Sequence, residues 1–136
     1  MTKKQFLNVA YWILIAAMGL YFAYSKGWIL TDFKSISTKE AYELMKSDEK
    51  ITVLDVRTPE EFAQEHIEGA TLIPLQTLEN NLGLISDAKN QKLIVYCHSG
   101  NRSVAASRIL AKNGFKPLNM QGGITAWKSS GLNVVQ

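Results

Sequence analysis

Lys92-Leu93-Ile94-Val95-Tyr96-Cys97-His98-Ser99-Gly100-Asn101-Arg102-Ser103 is the stretch on which the reading of this chain turns. Lys92 to Tyr96 is a short apolar run with β-branched residues, the pattern of a buried strand. Ser103 opens a helical pattern that carries Val104, Ala105, Ile109 and Leu110 to a left-handed stop at Asn113-Gly114. A strand that ends in a cysteine, turns through Gly100 and enters a helix gathers the backbone N–H groups of His98, Ser99, Gly100, Asn101, Arg102 and Ser103 around one small cup. Such a cup suits an anion. It also suits a thiolate on Cys97, because a helix N-terminus and the Arg102 guanidinium both favour ionised sulfur.

On both sides of this stretch, strands alternate with helices. Ser37 or Thr38 caps a helix with Ala41, Leu44 and Met45 on one face, and Ile51 to Val56 is a strong strand. Thr58-Pro59-Glu60-Glu61 combines a cap, a proline at the first helical position and a glutamate three residues after the cap, which predicts a helix start. Ala70 to Ile73 is a short strand closed by Pro74, Leu75 to Ile85 gives one or two weak helical turns, and Pro117 to Met120 reads as a last, edge-like strand. Gly122-Gly123 leads into a helix around Ile124 and Trp127. This alternation predicts an α/β domain, a parallel sheet covered on both faces. Ligands in such folds bind beyond the carboxyl ends of the strands, which is where Cys97 lies.

The N-terminal region is different in kind. Phe6 to Tyr24 is 19 residues without a charge, about the length needed to cross the roughly 30 Å hydrocarbon core. Lys3 and Lys4 precede it, Lys26 follows it, and Tyr21, Tyr24 and Trp28 suit an interfacial belt. Residues 1–30 therefore read as a single-pass transmembrane anchor that holds the protein in the cell membrane through residues 6–24, with a cleavable signal as the competing reading. The apolar run exceeds the ~7 to 15 residues of a signal core, and only Ala23-Tyr24-Ser25 offers a cleavage site, a weak one. Lysines on the two sides nearly balance, and the short charged tip favours a cytoplasmic start with the domain outside.

Composition narrows the function classes. The 15 basic and 12 acidic residues give a net charge of +3, and they are interspersed along the chain, so nothing marks a nucleic-acid footprint. With Cys97 as the single cysteine, no internal disulfide forms. A lone cysteine at a strand end is by itself more often a small buried hydrophobe than a nucleophile. The Gly-containing loop, the arginine and the helix start that follow shift the balance to chemistry, since burial requires none of them.

Four separated pieces carry a family resemblance. They are Asp55-Val56-Arg57, Phe62-Ala63-Gln64-Glu65-His66-Ile67-Glu68-Gly69-Ala70, the loop Cys97 to Arg102, and Gly122-Gly123-Ile124-Thr125-Ala126-Trp127. In order and spacing they resemble a single-domain rhodanese, a sulfurtransferase, over about residues 33–134, departing from its pattern where Glu68 stands in place of a usual proline. The resemblance implies a five-stranded parallel sheet flanked by helices. It further implies a nucleophilic Cys97 that takes the outer sulfur of an anionic donor such as thiosulfate and holds it as a persulfide. A thiol, cyanide or a protein acceptor then removes that sulfur, and no metal or organic cofactor is required. On this reading His98, Ser99, Gly100, Asn101, Arg102, Ser103 and Arg57 surround the donor, while Asp55 pairs with Arg57 to brace the loop. His98 is equally well read as a solvated loop residue. Two other classes remain open: a non-catalytic or sulfur-carrier module serving a membrane partner, and a cysteine-based phosphatase or arsenate reductase. The latter resemble Cys-x5-Arg loops, whereas four residues separate Cys97 from Arg102 here.

Overall fold

A computed structural model describes residues 1–47 and 49–136, in two compact units, Met1–Leu30 and Thr31–Gln136. The first is one helix, α1 (Lys3–Ser25), capped by Thr2 and Gln5 and with no buried residue. It is long and apolar enough to cross a membrane.

The second unit runs β1 (Lys34–Ile36), α2 (Thr38–Lys46), β2 (Ile51–Asp55), α3 (Pro59–Gln64) and β3 (Thr71–Leu72), then a kinked 3-10 segment (Leu75–Asn90), β4 (Lys92–Tyr96), α4 (Asn101–Lys112), β5 (Pro117–Met120) and α5 (Gly123–Ser129). The strands form a five-stranded parallel sheet in the order β1-β5-β4-β2-β3. The α/β class, the parallel sheet and its five strands are as expected. β5 is not an edge, however. Pro117 sits at the strand's first position, and the three-residue β1 pairs along its outer side, with Asn119 Nδ2 donating to Ser35 Oγ at 3.3 Å. The turns after Leu75 also continue past Ile85 to Asn90, with breaks at Asn81 and Ile85 where the backbone leaves helical geometry.

β4 lies at the centre and is buried on both faces. Alternation sends Leu93, Val95 and Cys97 to one face, where they join Leu54, Val56, Ile73, Leu78, Ala106, Leu110 and Phe115. Ile94 and Tyr96 point to the other, with Ile36, Val53, Met120, Ile124 and Trp127. The cysteine thus directly follows a strand fixed from both sides, and it is itself buried in the core.

Candidate active site around Cys97

α4 begins at Asn101, two residues before Ser103, because its N-cap is Gly100 at φ 110°, a conformation open to glycine and strained for a side chain. The turn folds back under the sulfur. Gly100 N–H donates to Cys97 Sγ at 3.0 Å, and the Cys97 thiol lies 3.5 Å from the fully buried Ser103 Oγ, which donates to Gly100 O at 3.3 Å. His98, Ser99 and Asn101 are exposed and form the rim. Cys97 itself is 1% exposed.

The loop is held from below by α5. Ile124 N–H donates to Cys97 O at 2.9 Å and Thr125 N–H to His98 O at 3.1 Å. The carbonyls of Cys97 and His98 are thereby turned toward the first turn of α5, while the Gly100 N–H meets the sulfur. Contact this close needs glycine at the helix start: a Cβ on Gly123 (φ 60°) would overlap Cys97 O and stand 2.5 Å from His98 O. In the sequence Gly122-Gly123 marks a helix entry and part of the rhodanese resemblance; the paired glycines also signal the close backbone approach seen here.

Arg102 does not stand free at the cup. Its Nη1 and Nη2 donate to Glu61 Oε1 and Oε2 at 2.7 and 2.9 Å. Glu61 is also the third residue of the α3 capping box, its carboxylate accepting from Thr58 Oγ1 while its N–H donates to that oxygen. One carboxylate therefore ties the helix after β2 to the helix after β4. The Arg102 hydrogen bonds, against the opposing effect of burial, hold the Glu61 carboxyl at a pKa of about 2. Arg102 in turn is raised, first by Glu61 and, among smaller causes, by attraction to Cys97. Because the folded-state pKa of Glu61 is depressed, its contribution is present above the ordinary value of 4.5 and is lost as pH falls toward 2. Glu61→Gln is expected to lower stability at neutral pH by about 1 kcal/mol, allowing for solvent screening, with the difference from wild type closing between those pH values. Urea titrations of both proteins across that range measure it.

Asp55 and Arg57 form a buried pair, 0% and 3% exposed, with Nη2–Oδ2 at 2.7 Å and Nε within 3.1 Å of both oxygens. Arg57 Nη2 also donates to Glu65 O at 2.7 Å. Burial works against the guanidinium's charge, but the hydrogen bonds and attraction of Asp55 outweigh it and raise its pKa. Its Cζ lies 5.7 Å from the Tyr96 ring. Tyr96 O accepts from Val56 N–H, and its hydroxyl accepts from Ile67 N–H at 3.1 Å. Burial first, then the neighbouring Asp55 carboxylate, pushes that phenol well above its usual range. The pair thus fixes the residue preceding Cys97. His66 packs its ring on Phe62 and bonds Phe62 O through Nδ1, and His98 Nε2 lies 3.5 Å from Thr125 Oγ1.

The family model described as "Rhodanese-like domain" matches residues 37–130. Among curated proteins, the chain is 33% identical over 101 residues to a sulfurtransferase of Allochromatium vinosum, covering 74% of this chain and 92% of that one. It is 35% identical over 94 residues to a probable adenylyltransferase/sulfurtransferase of Mycobacterium tuberculosis, covering 68% of this chain but only 24% of that protein, so this relative is far longer. Among solved structures, a rhodanese-related protein from Thermoplasma volcanium superposes with a TM-score of 0.69 at 34% identity, covering 76% of this chain and 98% of that one.

Proposed function

The chain belongs to the rhodanese-like domain family, and on that premise we propose that it moves a sulfane sulfur from a donor such as thiosulfate to a thiophilic acceptor through a persulfide on Cys97. The observation that carries this reading is the Gly100 N–H directed at Cys97 Sγ, at 3.0 Å, in a loop stapled beneath by α5.

The Cys97 thiolate attacks the outer sulfur of thiosulfate. A new S–S bond forms, the donor's S–S bond breaks, and sulfite leaves with its electron pair. The terminal persulfide sulfur carries negative charge, which the Gly100 N–H, its neighbours in the loop and the N-terminus of α4 stabilise without a metal. Attack by cyanide or a thiol on that sulfur releases thiocyanate or a new persulfide and regenerates the thiolate. In this scheme Arg102 supplies the positive field for the anionic donor while Glu61 holds it in place, and the Asp55–Arg57 pair braces Tyr96. The low exposure of Cys97 selects for a one-atom transfer over attack on a tetrahedral phosphate. We further take α1 as a single-pass anchor through residues 6–24, supported by its length, apolar content and complete lack of buried residues.

A covalent intermediate that splits the reaction in two requires ping-pong kinetics. Thiocyanate formation measured over a grid of thiosulfate and cyanide concentrations is expected to give parallel double-reciprocal lines. Intersecting lines would mean that both substrates bind before any sulfur moves, and would overturn the scheme.

A further inference from the structure

Lysines that look scattered along the sequence are gathered by the topology. In a parallel sheet the strand starts share one end, and helices that run back beside the strands finish there too. Lys34 opens β1, Lys50 precedes β2, Lys92 opens β4 and Lys116 precedes β5. Lys46, Lys89 and Lys112 lie in the last turns of α2, the 3-10 segment and α4. All are exposed. Lys50, Lys89, Lys92 and Lys116 line one cleft, in which the acid is Glu49, paired to Lys92 at 2.8 Å; Lys89 also lies over the Phe115 ring. Asp48 falls outside the described residues. Lysines at helix ends complement the helix dipole, but strands have little net dipole, so those at the strand starts call for another account.

Covalent connectivity identifies the occupant. The chain enters the sheet at this same end, and only residues 26–33 separate Ser25, the last residue of α1, from Lys34. Eight residues reach at most about 30 Å even when extended. The Cys97 loop lies at the opposite end of the strands. We propose that the lysine-bearing end of the sheet is a docking surface for the anionic headgroups of the bilayer that holds α1. The proposal rests on the reading of α1 as an anchor.

The test uses the full chain in nanodiscs of phosphatidylcholine alone and of phosphatidylcholine with phosphatidylserine. Lysine acetylation by a water-soluble N-hydroxysuccinimide ester is followed by mass spectrometry. Lys50, Lys92 and Lys116 are expected to react about fivefold more slowly in the anionic discs at low salt, the protection fading at high salt. Lys39, in the first turn of α2 at the other end of the sheet, is expected to react equally in both. Equal rates at all four lysines would overturn the proposal, as would protection seen only on adding an acidic polypeptide. A chain that fails to enter the discs at all removes the anchor and this surface together. Thiocyanate formation by the same samples reports the sulfur chemistry separately.

Discussion

Replacing Cys97 with serine is expected to abolish thiosulfate-dependent thiocyanate formation, with a loss of at least about a thousandfold, while the protein still folds. A serine hydroxyl is close in size and can keep both local partners, Gly100 N–H and Ser103 Oγ. What it lacks is a nucleophile able to hold sulfur at neutral pH. Because Cys97 borders the apolar cluster containing Leu54, Val95 and Ala106, the more polar hydroxyl costs about 1–3 kcal/mol, a cost readable by urea denaturation. Turnover in the serine protein within tenfold of wild type would exclude the sulfur of Cys97 as the carrier.

Gly123→Ala has the second-largest expected effect, and it acts without touching the sulfur. The new methyl group must displace the carbonyls of Cys97 and His98, both backbone atoms, and the residue must still adopt φ 60°. Opening the contact breaks the hydrogen bonds from Ile124 and Thr125 and shifts the cup relative to Sγ. Misplacement on the 1 Å scale costs about a hundredfold in rate, which is the expected fall in turnover; stability should drop by about 2–4 kcal/mol. Gly114→Ala is the matched control. Gly114 also has positive φ, 86°, but its Cβ would meet open space, so only a backbone cost of about 1 kcal/mol is expected, with turnover unchanged. Equal loss of turnover in the two variants would show that the effect comes from general destabilisation and not from the staple.

Much of the architecture was legible in the residues, because local signals and the global fold agree at those positions. Thr58-Pro59-Glu60-Glu61 spelled out a capping box, and α3 starts there with Thr58 and Glu61 bonded reciprocally. The apolar run Leu93 to Tyr96 announced a strand buried on both faces, and β4 is the centre of the sheet. The misses have physical causes. β1 is three residues long, with one buried side chain, Ile36, so it has no period to detect; without it β5 looked like an edge. The first turn of α4 escaped because Gly100 caps it with backbone geometry and no side-chain bond, leaving Ser103 as the apparent start. The Arg102–Glu61 pair joins residues 41 apart, and the α5 staple is made by main-chain atoms; side-chain identity encodes neither directly. The clustering of lysines is likewise a property of topology, visible only once strand starts are known to share an end.

The most direct test of the central claim is intact-mass spectrometry of the protein after brief exposure to thiosulfate and removal of excess donor. A mass gain of one sulfur atom is expected, localised by peptide mapping to Cys97, absent from the serine variant and discharged by cyanide with release of thiocyanate. An unchanged mass under conditions where thiocyanate is still being produced, or a sulfur adduct on Cys97 that cyanide does not remove, would contradict it.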